Sequence, residues 1–159
     1  MPNKKNETIY ISQEKLNEYK SEFDNLINVE RPKIQLELKE ARAQGDLSEN
    51  AEYDAARDKQ AQVEGRISEL ERILENVKVI DSNSKDKTRA QIGSVVKYKN
   101  LENGKTYEVK IMGSFDSNPF VGNISNESPI AKAILDGKLN DEVEVDVQNK
   151  YLIKILEIK

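Results

Sequence analysis

The chain has 159 residues, of which 34% are charged and 36% are hydrophobic, and its formal net charge is −4. This mild charge argues against a broad nucleic-acid-binding surface, and the composition fits a coiled coil joined to a small globular part. The chain has no Cys and no His, which excludes disulfides, thiolate zinc sites and Ser-His or Cys-His catalysis and leaves carboxylate oxygen, a ligand for hard ions such as magnesium.

Two features of the sequence bear on localisation. No apolar run is long enough to span a bilayer. Residues 1–7 are polar and lack the apolar core of a signal peptide. We therefore expect a cytoplasmic protein without a membrane partner.

The first long segment predicts a helix that follows a polar arm and has Ser12 as its N-cap. Pro32 lies inside this segment, and a proline in a helix removes one backbone hydrogen bond. We therefore expect a bend or short break near Arg31-Pro32, and an end of the helix at Gly45. The apolar residues follow spacings of three and four and slip by one position near the proline: Leu16, Tyr19, Phe23, Leu26, then Ile27, Ile34, Leu38 and Ala41.

Residues 50–78 predict a return helix, because spacings of three and four continue throughout. The two helices are expected to form an antiparallel coiled-coil hairpin over residues 1–80. Near its tip the apolar seam narrows to Ala41, Ala56 and Tyr53, which lets the helices approach closely. The seam residues of the return helix are Tyr53, Ala56, Gln60, Val63, Ile67, Leu70, Leu74 and Val77.

Residues 81–90 are polar and predict a linker, and residues 91–159 predict a second domain. Two strands flank the hairpin turn Asn103-Gly104, and Ser128-Pro129 opens a short helix that ends at Gly137. Two more strands, over residues 142–147 and 151–158, close the chain. The predicted fold class is a two-domain α+β protein, with a curved antiparallel sheet and one helix in the second domain.

Asp46 and Glu49 lie at the predicted tip of the hairpin, and two explanations fit them. Their spacing matches a capping box with Asp46 as the cap, and spacing alone favours this explanation because such caps are common at helix starts. Alternatively, the two carboxylates share a magnesium ion, weakly unless a partner supplies further ligands. A narrow rod with an acidic tip suits delivery of carboxylates into a deep channel of another protein.

The sequence of the predicted tip resembles a known family signature. Residues 41–57 read Ala-Arg-Ala-Gln-Gly-Asp-Leu-Ser-Glu-Asn-Ala-Glu-Tyr-Asp-Ala-Ala-Arg, which resembles the signature of the bacterial transcript cleavage factors of the GreA/GreB family. Three further stretches resemble the family in the right order, so the likeness covers nearly the whole chain. They are Arg31-Pro32, Val63-Glu-Gly-Arg-Ile67 and Ser128-Pro129-Ile130-Ala131.

The resemblance implies a coiled-coil hairpin and a C-terminal domain of FKBP-like fold that docks at the rim of the secondary channel of RNA polymerase. The hairpin enters the channel, and the polymerase itself then cleaves backtracked RNA. By position, Asp46 and Glu49 match the family's acidic tip residues, which hold the second magnesium ion and orient the attacking water, as in two-metal hydrolysis. The resemblance thus implies no cofactor of its own, a magnesium ion shared with the polymerase, and no nuclease activity alone.

Three more residues match the family by position. Arg42 and Arg57 match basic positions that contact the 3′ segment of the nascent RNA, and Tyr53 matches a tyrosine near that RNA. The alternative, a purely structural role, is that each arginine forms an ion pair with a local carboxylate such as Asp54 or Asp58. Few basic residues extend along the hairpin beyond Arg42 and Arg57. This small basic patch resembles that of the GreA branch more than that of the GreB branch. A hairpin that buries its own seam also predicts a monomer.

Other classes stay open at this point. A coiled-coil adaptor uses its seam to bind a partner helix, and an anti-Gre-type inhibitor shares the fold but has a more acidic tip than Gly-Asp-Leu-Ser-Glu-Asn. A peptidyl-prolyl isomerase needs a pocket lined by aromatic side chains. The candidates in the second domain are Tyr98, Tyr107, Phe115, Phe120 and Tyr151. The sequence also departs from the family at Asn140, where Gly is usual, and at residues 148–150, which lack the usual Pro-Gly-Gly.

Overall fold

The computed structural model describes residues 7–46, 50–81 and 86–159, and these residues form two compact units. The helical unit spans residues 16–76, and the sheet unit joins residues 7–15 to residues 77–159. The predicted α+β organisation, a helical hairpin and a sheet with one helix, is confirmed. Within the described ranges, no helix is both long enough and apolar enough to cross a membrane.

The outgoing arm of the hairpin consists of helix α1 (Gln13–Asn25), a π-helical turn (Leu26–Glu30) and helix α2 (Arg31–Ala43). The N–H of Arg31 donates to the carbonyl of Leu26, five residues earlier, so the turn holds one residue more than an α-helical turn.

This extra residue explains the one-position slip of the apolar spacing. Pro32 follows at once, in the first turn of α2, where its missing N–H is tolerated. Of the predicted bend or short break, the break does not occur, because both residues that flank the turn keep right-handed helical angles. A widened turn takes its place.

The return arm is helix α3 (Ala51–Asn76). It ends two residues before the predicted end at residue 78, because Val77–Val79 forms a strand. Near that end Ile73 is fully buried, whereas the predicted seam residue Leu74 is only partly buried. The buried apolar residues of the two arms are Leu16, Ile34, Leu38, Ala41, Ala56, Ile67, Leu70 and Ile73.

Two arginines link the arms beside the seam. The Nε and Nη2 atoms of Arg31 donate to the two carboxylate oxygens of Glu64, each at 2.7 Å. Arg66 donates to the two carboxylate oxygens of Glu22 at 2.7 and 2.8 Å. Paired contacts of this kind have a defined geometry, whereas exposed ion pairs contribute little to stability. We therefore assign the alignment of the two arms to these pairs and their stability to the seam.

The sheet unit contains two sheets. Strand β1 (Ile9–Ile11) pairs in parallel with β2 (Val77–Val79), which is why residues 7–15 belong to this unit. The larger sheet has the order β5-β4-β3-β7-β6, and all its pairs are antiparallel except β4 with β5. Its strands are β3 (Val95–Asn100), β4 (Thr106–Met112), β5 (Asn123–Ser125), β6 (Glu142–Val145) and β7 (Tyr151–Ile158).

Helix α4 (Pro129–Ile134) begins as predicted, with the Ser128 hydroxyl accepting from the N–H of Ala131. Ala90, which the sequence assigns to the linker, is fully buried in the core of this unit. Its N–H donates to the carbonyl of Gly137 at 2.9 Å. Asn140, which stands where the resembled family has Gly, has a φ of +68°, a left-handed conformation that Asn tolerates better than most residues.

Two contacts hold Tyr10 and Ser12 within the sheet unit. The carboxylate of Asp116 accepts from the N–H of Ser12 at 2.7 Å and from its hydroxyl at 2.8 Å. Gly113 packs so closely that a Cβ there would lie 1.6 Å from the carbonyl oxygen of Tyr10. The same Ser12 hydroxyl accepts from the N–H of Lys15, as predicted for the N-cap of α1.

We predict that Gly113→Ala destabilises the protein by about 2 kcal/mol or more, because the new methyl group forces the backbone at Tyr10 to move. The matched control is Gly65→Ala in the interior of α3, where an added Cβ meets nothing within 4 Å. The control is expected to stabilise by about 0.5–1 kcal/mol. Calorimetry compares the two melting temperatures, and equal shifts in the same direction would contradict the assigned contact.

Candidate functional site

The hairpin tip is the segment between α2 and α3, and its residues 44–46 are exposed. The N–H of Gln44 donates to the carbonyl of Ala41 at 3.3 Å, and Gly45 follows with a φ of +125°. Only glycine adopts this angle at low cost, so the predicted end of the first arm near Gly45 is confirmed. Asp46 comes next and is exposed, whereas Glu49 lies outside the described residues.

Asn50 connects the two arms at the base of this tip. Its carboxamide nitrogen donates to the carbonyl of Ala41 at 2.7 Å, and its carboxamide oxygen accepts from the N–H of Tyr53 at 3.1 Å. The second bond makes Asn50 the N-cap of α3.

The structural alternative for the acidic residues, a capping box with Asp46 as the cap, pairs Asp46 with Glu49, which lies outside the described residues, so it stays a prediction; the cap of α3 itself, which begins at Ala51, is Asn50. Asn50 is not among the residues predicted from the sequence. The available signal was an Asn directly before a first turn rich in carboxylates, here Glu52 and Asp54.

The structure brings Arg42, Tyr53 and Arg57 together. The guanidinium carbon of Arg42 lies 5.7 Å from the centre of the Tyr53 ring, a cation–π distance. A hydrogen bond from the Arg42 side chain lowers the pKa of the Tyr53 hydroxyl, and the positive charges of Arg42 and Arg57 lower that pKa further. Both arginines are exposed, so two cations from opposite arms flank one aromatic ring on the surface.

The structural alternative for Arg42 and Arg57 is an ion pair with a local carboxylate. Among the described residues, no ion pair joins Arg42 or Arg57 to Asp54 or Asp58. The positive charge of the pair is therefore not neutralised by those neighbours. Such a pair of cations favours an anionic group between or beside them.

The carboxylates of the tip are few. Within residues 7–46, 50–81 and 86–159, no group of three or more acidic side chains is placed to hold a metal ion. Magnesium takes near-octahedral coordination and keeps several waters, so one or two carboxylates form only part of a site. Asp46, with or without Glu49, needs ligands from another molecule to hold magnesium firmly.

The aromatic residues considered for an isomerase pocket lie in different environments. The rings of Tyr98 and Tyr107 stack with centres 5.5 Å apart, but Tyr98 lies in the core, where burial raises the pKa of its hydroxyl to about 12. Phe120, in contrast, is fully exposed on the surface. Tyr98 and Phe120 therefore do not line one pocket.

Comparison with known proteins shows two family matches. Residues 9–79 match the family described as "Transcription elongation factor, N-terminal", and residues 85–159 match "Transcription elongation factor, GreA/GreB, C-term". Together the two matches span nearly the whole chain.

Curated relatives match over nearly their full length. Transcription elongation factor GreA of Mycoplasmopsis agalactiae is 57% identical over 154 residues, which cover 96% of this chain and 94% of that protein. Transcription elongation factor GreA of Mycoplasmopsis pulmonis is 53% identical over 150 residues, 94% of each. A solved GreA/GreB structure from Nitrosomonas europaea matches 96% of this chain and 98% of that chain at 19% identity, with a TM-score of 0.41.

We predict that the pKa of Tyr53 lies below the ordinary value for tyrosine and rises in Arg42→Ala, with a smaller rise in Arg57→Ala, because each substitution removes a cation. A lowered pKa in the folded state means that ionisation of this group favours folding. Its contribution therefore appears as pH rises through the folded pKa and is lost as pH falls through it. NMR titration of ring-labelled tyrosine measures the pKa, with Tyr53→Phe to assign the signal, and an unchanged pKa in Arg42→Ala would contradict the geometry.

Proposed function

This chain belongs to the GreA/GreB family of transcription elongation factors, and we propose that it enters the secondary channel of RNA polymerase and stimulates the polymerase's own cleavage of backtracked RNA. The observation that carries the proposal is the tip, where an exposed carboxylate ends a narrow pair of helices. Ala41 and Ala56, each 3% exposed, form the seam closest to that tip. Two small residues at the contact let the helices lie close together, so the rod is narrow where it enters a channel.

In this mechanism Asp46 and Glu49 complete a magnesium site together with carboxylates of the polymerase. The tip supplies too few ligands alone, which makes the site conditional on the complex. Within the complex, Asp46 and Glu49 would help to hold a second magnesium ion, which would supply an activated water for hydrolysis of the RNA backbone. The factor therefore supplies carboxylates, and the polymerase supplies the rest of the catalytic centre.

Arg42, Tyr53 and Arg57 then contact the displaced 3′ segment of the RNA. Two exposed guanidinium groups attract the phosphate backbone, and the Tyr53 ring offers a surface on which a base can stack. Held in this way, the RNA lies next to the carboxylates of the same tip. The two arginines and the tyrosine thus bind the same segment of the RNA.

The factor has no catalytic activity by itself in this proposal and acts as a monomer with RNA polymerase as its partner. With no His and no Cys in the sequence, the usual general bases and nucleophiles are absent. The alternative functions are a coiled-coil adaptor and an anti-Gre-type inhibitor. Both differ measurably from the proposed function, because neither accelerates cleavage of the RNA.

We predict that the wild-type chain accelerates release of short 3′ fragments from a purified backtracked polymerase complex in magnesium buffer. The double variant Asp46→Asn, Glu49→Gln is expected to bind the complex but to lose at least 100-fold in stimulated cleavage rate, because it removes metal ligands. The matched control, Asp24→Asn with Glu75→Gln, removes two exposed carboxylates of the helical unit away from the tip and should cleave like the wild type.

Each outcome of this experiment separates one function from another. Equal cleavage by the tip variant and the wild type would reject the role of the carboxylates. A wild-type chain that binds the polymerase without accelerating cleavage favours the inhibitor, and one that does not bind the polymerase favours the adaptor. The factor incubated with RNA alone should release nothing.

We also predict that Arg42→Ala and Arg57→Ala weaken binding to the backtracked complex and make binding less dependent on salt. Removing one phosphate contact lowers the number of counterions released on binding. Arg42→Lys and Arg57→Lys keep the charge and should recover most of the affinity. Titrations at several salt concentrations measure both effects, and an unchanged salt dependence in both alanine variants would show that the arginines do not contact phosphate.

A further inference from the structure

We propose that Phe120 and Val121 form an apolar anchor with which the sheet unit binds an uncharged apolar pocket on RNA polymerase. The inference rests on the proposed function, because that function supplies the polymerase as the partner. Phe120 is 100% exposed and Val121 is 67% exposed. Among the described residues, Phe120 is the most exposed large apolar side chain. We call this pair the Phe120 anchor.

The anchor lies in the longest stretch of the sequence without a charged residue. Residues 117–126 contain none, although 34% of the chain is charged. Directly before this stretch, the carboxylate of Asp116 accepts from the N–H and the hydroxyl of Ser12. Single exposed apolar side chains are common on protein surfaces. An aromatic residue in an uncharged segment, however, has the composition of an interface core, where charged residues are depleted and aromatic residues are enriched.

Hydrogen bonds fix the backbone of the turn that carries the anchor. Asn118 and Asn123 exchange two backbone hydrogen bonds, at 2.8 and 3.1 Å, and the carboxamide oxygen of Asn118 accepts from the N–H of Phe120 at 3.2 Å. Gly122 closes the turn with a φ of +79°, and its carbonyl accepts from the N–H of Lys110 on β4 at 2.9 Å. Side chains on a fixed backbone bind with a smaller loss of conformational entropy.

The charges near the anchor argue against a nucleic acid as its partner. Nucleic acids are bound mainly through cations that contact their phosphates, and residues 117–126 supply no cation. On the neighbouring strand β4, which pairs with Asn123 through Lys110, the exposed Glu108 carries the opposite charge to Lys110. The surroundings of the anchor therefore offer no net positive charge.

The area of the anchor argues against a second copy of the chain. A buried aromatic side chain covers about 150–250 Å², whereas each partner in a specific interface buries about 800 Å². One exposed Phe and one exposed Val therefore form only a small part of an interface, too small to hold two copies together by themselves.

RNA polymerase fits a small anchor because the proposed function gives the same chain a second contact with it, the hairpin tip. When one chain binds a partner at two places, the second contact becomes intramolecular and each contact can be weak alone. The pocket that takes Phe120 must be uncharged, because residues 117–126 supply no charge that could compensate a buried one.

The experiment measures binding of the full chain to polymerase core enzyme free of RNA and DNA, and stimulated cleavage in the backtracked complex at increasing factor concentration. The variants are Phe120→Ser, Val121→Asn and Phe120→Leu. The matched control is Leu139→Ser, which removes another exposed apolar side chain of the sheet unit, 54% exposed. Because Phe120 is fully exposed, Phe120→Ser should melt at the wild-type temperature.

We expect Phe120→Ser to raise both the Kd for the core enzyme and the half-saturating concentration in cleavage by about 10-fold or more, with a smaller rise for Val121→Asn. Phe120→Leu keeps an apolar side chain and should recover most of the affinity, and Leu139→Ser should stay within about twofold of the wild type. The loss in Phe120→Ser should be equal at low and high salt, because salt does not screen an apolar contact.

Several results would overturn the anchor. A Kd of Phe120→Ser equal to that of the wild type would do so, and stimulated cleavage by the wild type would then leave the proposed function standing. A loss confined to the maximal rate, or an equal loss in Leu139→Ser, would also contradict it. A loss seen only when RNA and DNA are bound would assign Phe120 to a nucleic acid, and self-association that depends on Phe120 would assign it to a second copy.

The binding measurement also separates the anchor from the cleavage function. A wild-type chain that binds the core enzyme through Phe120 without accelerating cleavage would support the anchor and reject the proposed cleavage function. A wild-type chain that does not bind the polymerase at all would reject both.

Discussion

The apolar seam between two antiparallel helices is the constraint on which the functional tip depends. Ile34, Leu38 and Ala56 form its buried cluster next to the tip, with Tyr53 and Val63 packed against it. Burial of such side chains contributes about 1.5–3 kcal/mol each for the larger ones, whereas the exposed ion pairs beside them add little. The seam therefore supplies the stability, and because it ends at small residues, the polar tip extends beyond it on a narrow base.

The π-helical turn at Leu26–Glu30 shows how a local irregularity serves this seam. Apolar residues before and after the turn differ by one position in their spacing, and a continuous α-helix would rotate one half of them away from the partner helix. One extra residue per turn corrects the rotation. Pro32 follows where the helix hydrogen bonds are already rearranged, so its missing N–H costs little at that place.

The hairpin tip carries charges of both signs. Asp46 is exposed beyond the end of α2, and Arg42 and Arg57 lie beside Tyr53 on the two arms. The carboxamide of Asn50 donates to the carbonyl of Ala41 and accepts from the N–H of Tyr53, so it links the end of α2 to the start of α3. The two helix ends at the tip are therefore held together both by the apolar seam and by this side chain.

Much of this protein follows from local sequence. Periodicity alone predicts the two arms, Gly45 marks the end of the first, and Asn103-Gly104 and Ser128-Pro129 mark the hairpin and helix of the sheet unit, because each depends on neighbours within a few residues. Only the tertiary structure decided three other matters: the π-helical turn before Pro32, the parallel pair Ile9–Ile11 with Val77–Val79, and the hydrogen bonds of Asn50 to Ala41 and Tyr53. The short strands need a partner distant in sequence, and the Asn50 carboxamide reaches Ala41 only because the seam brings the two helix ends together, which no local pattern encodes.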